Sequence, residues 1–147
     1  LQTTATTTTP TAGSRLAAAP GHAKVLFMDD ESSIVAIASK ILERIGCSVE
    51  IAYDGYDAIK KYQTARAQGA PFDLVIMDLT VPGGMGGREA IQKLRELDPG
   101  VKAIVSSGYS GDPVLGDFRS FGFRGMVAKP YEIGEFSRTI QAVLDEN

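Results

Sequence analysis

The sequence predicts an α/β protein of (βα)5 architecture, in which a five-stranded parallel sheet is doubly wound by helices. From Lys24 onward, segments of strand character alternate five times with segments of helical periodicity. The strand segments at 25–28 and 74–77 are uninterrupted apolar runs, which are typical of parallel strands buried on both faces. Parallel strands require crossover connections, and the helical segments between them supply these connections.

The individual elements follow in a regular order. Strands are predicted at residues 24–29, 48–52, 72–78, 101–106 and 124–128, and the last three helices at 86–97, 113–121 and 132–144. Ser32 or Ser33 is expected to cap the first helix and Gly46 to end it, while Asp54 caps the second helix. The fourth helix is predicted to be weak because Gly116 interrupts it.

Apolar residues at helical spacing define the helix faces that are expected to pack on the sheet. In the first two helices these residues are Ile34, Ile37, Ala38, Ile41, Ile45, Ala58, Ile59, Tyr62 and Ala65. In the third and last helices they are Ala90, Ile91, Leu94, Leu97, Ile133, Phe136, Ile140, Val143 and Leu144.

Residues 1–22 differ in composition from residues 23–147. The leader is a low-complexity segment rich in Thr, Ala, Pro and Gly. Such a segment buries too little apolar surface to offset the entropy of ordering it, so we predict a linker or a disordered tail. Residues 23–147 are predicted to form one domain.

Composition and charge restrict the classes of partner. The net charge is −3 and the sequence pI is about 5.1, so a basic surplus that would favour nucleic acid or an anionic membrane surface is lacking. No apolar stretch approaches the ~20 residues of a membrane span. We therefore expect a cytoplasmic domain that makes no membrane contact itself, whether free or tethered to a membrane-bound sensor.

Three carboxylates are predicted to meet at one edge of the sheet. Asp29 and Asp30 end the first strand and Asp78 ends the third, and ligands of open α/β sheets gather at the carboxyl ends of strands. Two unit charges ~4 Å apart repel by about 4 kcal/mol at an effective dielectric of 20. Three such charges need a cation, and a hard divalent ion such as Mg²⁺ is the natural one.

Two further strand ends complete a set of residues suited to phosphoryl transfer. The fourth strand ends in Ser106-Ser107-Gly108 and the fifth in Lys129-Pro130, so hydroxyls and an ammonium join the carboxylates. A metal, a lysine and a hydroxyl stabilise phosphoryl oxygens, while an aspartate serves as nucleophile and forms an acyl phosphate. Asp78 is the better candidate because it stands alone on an expected central strand.

These residues resemble the receiver domain of two-component response regulators. The family's motifs correspond to Asp29-Asp30, to Asp78 followed four positions later by Pro82, to Ser107 before Gly108, and to Lys129-Pro130. The resemblance covers essentially everything after the leader. It implies the flavodoxin-like strand order 2-1-3-4-5 and a cis peptide bond before Pro130.

The resemblance also implies a set of roles. A histidine kinase or a histidine phosphotransfer domain would donate the phosphoryl group to Asp78. Mg²⁺ would be held by Asp30, Asp78 and the main-chain carbonyl of Thr80, with Asp29 assisting. Lys129 and Ser107 would contact the phosphoryl group, and these contacts would shift the last two strand–helix units to produce the signal.

Two features depart from the common pattern of the family. Met126 occupies the switch position on strand five where many members have an aromatic residue, although Tyr109 could substitute for it. The glycine-rich loop 82–87 and Ser107-Gly108-Tyr109 resemble receivers fused to hybrid sensor histidine kinases, so we interpret the chain as the C-terminal receiver of such a kinase. The resemblance implies that the domain catalyses its own phosphotransfer and dephosphorylation, while the parent chain would be a histidine kinase. A homodimer is one possible assembly.

Two other functions also use or retain some of these features. A haloacid-dehalogenase-like phosphatase also uses an aspartyl phosphate, but its Asp-x-Asp-x-Thr motif differs from Asp29-Asp30-Glu31-Ser32. A pseudo-receiver would bind a partner without being phosphorylated, and the full acidic set argues against it. A dinucleotide loop at 84–89 is disfavoured because Glu89 occupies the third glycine site of G-x-G-x-x-G.

Overall fold

Five parallel strands form one sheet in the order β2-β1-β3-β4-β5, which confirms the predicted fold class and strand order. The structure is a computed structural model that describes residues 22–108 and 113–146. The strands are β1 (Lys24–Met28), β2 (Ser48–Ala52), β3 (Leu74–Asp78), β4 (Ala103–Ser107) and β5 (Gly125–Ala128). The helices are α1 (Ser32–Ile45), α2 (Gly55–Ala67), α3 (Gly87–Leu97), α4 (Pro113–Gly116) and α5 (Ile133–Leu144), with a 3₁₀ helix at Phe118–Phe121.

The apolar runs of the strands are buried on both faces of the sheet, as their sequence predicts. Alternate residues of each strand join one of two cores. One core contains Leu26, Met28, Val75 and Met77 with the inner faces of α2 and α3. The other contains Val25, Phe27, Leu74 and Ile76 with the inner faces of α1 and α5.

The strand register brings the carboxyl ends of the central strands together. Met28 of β1 is paired with Met77 of β3, and Asp78 of β3 is paired with Ser106 of β4. Asp29 therefore leaves β1 level with Asp78, and the side chains that follow both strands share one edge of the sheet.

The helix boundaries follow the predicted caps except at α1. The Asp54 carboxylate accepts the backbone N–H of Asp57 at 2.9 Å and caps α2, and Gly46 ends α1 in the left-handed conformation with a φ of 103°. The prediction that Ser32 or Ser33 caps α1 is wrong. The N-cap position is Glu31, which makes no side-chain cap bond, and helix α1 already includes both serines.

Three residues that were expected to pack inward are exposed. Ile37 is 50% exposed, Leu97 37% and Ile133 42%. The sheet covers a narrower stripe of each helix than the apolar pattern suggests. In α1, for example, the fully buried residues are Ala38 and Leu42, and Leu42 was not among the predicted core positions.

The region after β4 is irregular. Helix α4 has four residues and ends at Gly116, which confirms the predicted interruption, and a four-residue 3₁₀ helix follows. Tyr109 and the predicted tail up to residue 21 lie outside the described residues. Within the described ranges, none of the helices has the length and apolar character that crossing a bilayer requires.

Candidate functional site

Asp29, Asp30 and Asp78 form an acidic cluster at the carboxyl edge of the sheet. Each contributes one carboxylate oxygen to a group whose members all lie within 4.8 Å of one another. Asp29 is fully buried and Asp78 is 7% exposed, while Asp30 faces solvent. Asp29 Oδ1 accepts the backbone N–H of Glu31 at 2.9 Å, so the turn into α1 fixes this carboxylate. The structure thus brings together the three predicted acidic residues.

Lys129 reaches into this cluster from the end of β5. Its Nζ lies 2.8 Å from Asp29 Oδ2 and 3.4 Å from Asp78 Oδ1. The Lys129 backbone N–H donates to the carbonyl oxygen of Ser107 at 3.0 Å, and the Lys129–Pro130 peptide bond is cis. The side chain therefore extends from beside β4 across the end of β3 to the residue that follows β1.

One lysine does not balance the buried negative charge. Burial raises the pKa of the Asp78 carboxyl to about 6, the charge of Asp29 adds to the increase, and Lys129 offsets only part of it. Burial opposes a charge on Lys129 itself, but the hydrogen bond to Asp29 and the charge of Asp78 raise its pKa above the ordinary value. The cluster therefore keeps a cationic lysine and retains an excess of negative charge.

The donor set fits a hard divalent cation. An open pocket of about 490 Å³ gives access to the cluster and is lined by Asp30, Glu31, Asp78, Thr80, Pro82, Ser107, Gly108 and Lys129. Carboxylate and carbonyl oxygens are the ligands that Mg²⁺ prefers, and it characteristically keeps several waters, for which an open pocket leaves room. A bound cation would also offset the excess negative charge, which adds to burial in raising the pKa of Asp78.

The two hydroxyls that end β4 point to opposite sides of the sheet. Ser107 lines the pocket and is 7% exposed, which places it beside Asp78 and Lys129. Ser106 is 1% exposed, and its Oγ lies 2.5 Å from the Tyr131 hydroxyl on the α5 side. The resemblance to the receiver family singles out Ser107, and the structure places Ser107 at the pocket.

The loop between β3 and α3 passes very close to the pocket-lining backbone. A Cβ on Gly86 would lie 2.4 Å from the carbonyl oxygen of Leu79 and 2.9 Å from the Cα of Thr80. Gly83 has a φ of 75°, which side chains rarely adopt. The glycines thus allow the loop to fold tightly beneath Thr80, whose carbonyl is a predicted metal ligand.

The sequence did not single out two residues of this region, and one predicted switch residue does not line the pocket. Glu31 lines the pocket with its carboxylate 4.0 Å from Lys129 Nζ, and Tyr131 contacts Ser106 behind it. Their positions directly after Asp30 and Pro130 were the available signal. Met126, the predicted switch position, is half-buried and packs against the core beneath α2 and α3.

Residues 25–141 match the family model for the response regulator receiver domain. The chain belongs to this family. Chemotaxis protein CheY of Treponema pallidum is 30% identical over 122 residues, which are 82% of each chain. The crystal structure of CheY4 of Vibrio cholerae is 30% identical, has a TM-score of 0.72, and matches 82% of this chain and 98% of that one.

A further solved structure shares the fold of this receiver domain. The CheX-CheY-BeF3-Mg complex of Borrelia burgdorferi superposes with a TM-score of 0.75 at 23% identity, over 84% of this chain and 90% of that one. The chain spans only part of three longer relatives. These are transcription factor SKN7 of Chaetomium thermophilum (15%), the regulatory protein YkoG of Bacillus subtilis (52%) and sensor kinase CckA of Brucella abortus (13%).

Family membership decides between the classes of function considered from the sequence. A receiver domain is a phosphoacceptor module of two-component signalling. The chain is homologous to CheY of Treponema pallidum, which is consistent with this function. The relatives give no support to a haloacid-dehalogenase-like phosphatase or to an unphosphorylated pseudo-receiver.

Proposed function

We propose that this receiver domain takes a phosphoryl group from a phosphohistidine onto Asp78 in the presence of Mg²⁺. One observation carries the proposal above all others. A nearly buried carboxylate, Asp78, opens onto a pocket where two further carboxylates, a lysine and a hydroxyl converge. That combination supplies a nucleophile, a site for a cation and two groups for phosphoryl oxygens.

Asp78 acts as the nucleophile in this proposal. A carboxylate oxygen attacks phosphorus, the new O–P bond forms, and the N–P bond to the donor histidine breaks with its electron pair returning to the imidazole nitrogen. With a pKa raised to about 6, the carboxyl is mostly ionised at neutral pH and is therefore competent to attack. Its burial leaves it poorly hydrated, which favours reaction with phosphorus once the donor is positioned.

Asp30, Asp78 and the main-chain carbonyl of Thr80 would hold Mg²⁺, with Asp29 assisting. When bound, the ion supplies positive charge to the carboxylates and to the phosphoryl oxygens. Asp29 is fixed by the Glu31 N–H and paired with Lys129, so its role is to hold the lysine and the negative side of the site in place.

Lys129 and Ser107 would bind the oxygens of the transferred group. The Lys129 ammonium already lies 3.4 Å from Asp78 Oδ1, so it can bind a phosphoryl oxygen after a small rotation of its side chain. Ser107 lines the same pocket and can donate its hydroxyl hydrogen. Both residues lie at the ends of β4 and β5, and contact with the phosphoryl group would shift the units that follow these strands.

The phosphoryl donor is a histidine kinase or a histidine phosphotransfer domain. The similarity to sensor kinase CckA of Brucella abortus supports the further interpretation that this receiver is joined to a hybrid histidine kinase. The loop 82–87 and the Ser107-Gly108-Tyr109 sequence support the same interpretation.

Phosphorylation by a small donor tests the proposal directly. The protein is incubated with acetyl phosphate and Mg²⁺, and intact mass and peptide mapping locate the added group. We expect one phosphoryl group per chain on Asp78, none after Asp78→Asn, and none when the metal is chelated. Lys129→Ala should slow the uptake by about 100-fold, because it removes a preorganised cation from the transition state.

A matched control is Asp145→Asn, which removes an exposed carboxylate at the end of α5, opposite the pocket. This variant should be labelled at the rate of the wild type. Absence of label, or label on another residue, would contradict the proposal. Many turnovers of phosphomonoesters by the wild type would instead indicate a phosphatase.

A further inference from the structure

A pair of hydrogen-bonded hydroxyls, one from a buried serine and one from a half-buried tyrosine, lies directly behind the pocket. Ser106 Oγ and Tyr131 Oη are 2.5 Å apart, and Ser106 is 1% exposed. The Tyr131 ring packs against Phe27, with centroids 6.3 Å apart at 83°, and against Phe136, with centroids 4.8 Å apart at 45°. This hydrogen bond therefore joins β4 to the segment between β5 and α5.

The hydroxyl pair is placed next to the phosphoacceptor and next to the lysine. Ser106 is the register partner of Asp78 across the β3–β4 pair. Tyr131 is two residues after Lys129, whose backbone N–H donates to Ser107 at 3.0 Å. The Lys129–Tyr131 segment is thus attached to β4 at two successive residues, once through its main chain and once through a side chain.

The core on this face of the sheet is apolar, and the Tyr131 ring packs against it. The same core contains Ile76, Ile104, Val127 and Phe136. A buried hydroxyl without a partner costs free energy, whereas an apolar pair of the same shape would be nearly neutral. The bond between Ser106 and Tyr131 therefore fixes where the tyrosine lies more than it adds to stability.

We propose that Tyr131 is a positioning residue for phosphoryl uptake. Its hydroxyl, bonded to Ser106, holds the Lys129–Tyr131 segment so that the Lys129 ammonium lies between Asp29 and Asp78. Tyr131 acts through Lys129 and does not touch the phosphoryl group. The inference rests on the proposed function for the roles of Asp78 and Lys129.

Three variants test this role, because each removes the same hydrogen bond in a different way. Tyr131→Phe keeps the ring and its packing, Ser106→Ala keeps the tyrosine hydroxyl, and the double variant removes both hydroxyls. Tyr62→Phe is the matched control. It removes another buried tyrosine hydroxyl, which donates to Asp98 at 2.7 Å near the amino-terminal edge of the sheet.

The first measurement does not depend on phosphorylation. The protein is treated with a limiting amount of acetic anhydride in the absence of metal and phosphodonor. Acetylation of Lys129 is then quantified by peptide mass spectrometry. In the wild type the side chain is 13% exposed and ion-paired, so it should react slowly. All three variants should raise its reactivity about fivefold, the range expected for the loss of one net hydrogen bond, and Tyr62→Phe should not.

The second measurement separates positioning from stability. The rate of uptake from acetyl phosphate should fall about fivefold in all three variants. Tyr131→Phe leaves the buried Ser106 hydroxyl unpaired and Ser106→Ala leaves the half-buried Tyr131 hydroxyl unpaired, whereas the double variant leaves neither, so its thermal stability should recover towards that of the wild type. The uptake rate of the double variant should nevertheless stay low, because Lys129 still lacks its tether.

Two results would overturn the inference. One is an unchanged Lys129 reactivity in both Tyr131→Phe and Ser106→Ala. The other is an uptake rate that recovers together with stability in the double variant, since that would make the pair merely structural. Failure of the wild type to take up a phosphoryl group on Asp78 would instead contradict the proposed function, and the acetylation experiment would still report on the tether.

Discussion

The two halves of the pocket edge are supported by different amounts of structure. Asp29, Asp30 and Asp78 follow strands that lead into or lie beside helices α1, α2 and α3, which have 14, 13 and 11 residues. Ser107 ends β4 and Lys129 follows β5. Helix α5 after β5 has 12 residues, but the described part of the connection between β4 and β5 contains only a four-residue helix and a four-residue 3₁₀ helix. Short elements with few internal hydrogen bonds open at lower free energy than long packed helices.

This difference in supporting structure suits the two halves to separate roles. The acidic half holds charge in a fixed arrangement, and the half built on β4 and β5 can change conformation at small cost. Lys129 joins them, because it is carried by β5 and paired with Asp29 and Asp78. A new charge on Asp78 would therefore act on the less regular half through Lys129 and Ser107, which fits the function of a signalling domain.

The largest expected effect comes from the free-energy cost of ionising Asp78 in the acidic half. The pKa of Asp78 rises from an ordinary value of 3.8 to about 6 on folding, mainly through burial. The folded carboxyl thus binds its proton more tightly than the unfolded one, so ionisation opposes folding. This penalty is absent below about pH 4, grows as the pH rises, and is complete at about 3 kcal/mol above about pH 6.

Asp78→Asn should therefore be more stable than the wild type at neutral pH, by about 3 kcal/mol without metal. The difference should shrink to near zero by about pH 4, and urea unfolding of both proteins across this range measures it. Saturating Mg²⁺ should narrow the difference at neutral pH because the ion stabilises the carboxylate of the wild type. A difference that does not vary with pH would contradict this account of the cluster.

The acidic half was also the part that the sequence predicted best. An apolar run that ends in a carboxylate fixes both the strand and the edge where its last side chain lies, so the convergence of Asp29, Asp30 and Asp78 follows from the topology alone. Lys129 follows from the same reasoning applied to β5. The bounds of β2 match the prediction, while those of the other four strands differ from it by one or two residues, since the sheet pairing, and not the apolar run, sets them.

Contacts that depend on turns and on packing angles could not be predicted in this way. The Ser106–Tyr131 bond requires the path of the chain after β5 to be known, because the two residues are 25 positions apart. The exposure of Ile37 depends on how far the sheet extends under α1. The cap of α1 was misassigned because Asp29 bonds to the Glu31 N–H and shifts the start of the helix towards the strand.

A second prediction concerns the tight loop of the acidic half. In Gly86→Ala the new Cβ would lie 2.4 Å from the Leu79 carbonyl oxygen, and backbone atoms must move to make room. We expect a loss of about 2 kcal/mol in the free energy of unfolding, as for other overpacked sites. Because the displaced backbone belongs to Leu79 and Thr80, Mg²⁺ affinity measured by calorimetry should fall as well. Unchanged stability and affinity would show that the loop is free to relax.

The smallest expected effect lies in the other half, where the same substitution meets open space. Apart from its chain neighbours and the backbone of its own helix, no described atom lies within 4 Å of a Cβ built on Gly116. Its φ is outside the left-handed region, so Gly116→Ala fits without displacement. Alanine restricts the unfolded chain and favours helix, and the variant should gain about 0.5 to 1 kcal/mol. Urea unfolding measures the gain, and hydrogen exchange should show slower opening of α4.

Labelling of Asp78 by acetyl phosphate should stay within about twofold of the wild-type rate in this variant, because Gly116 lies outside the pocket. A loss of stability comparable to that of Gly86→Ala would contradict the contrast between the two halves, since it would mean that the region after β4 is packed as tightly as the loop beneath Thr80. Slower exchange without a change in labelling would locate the adjustable part of the domain in the connection from β4 to β5.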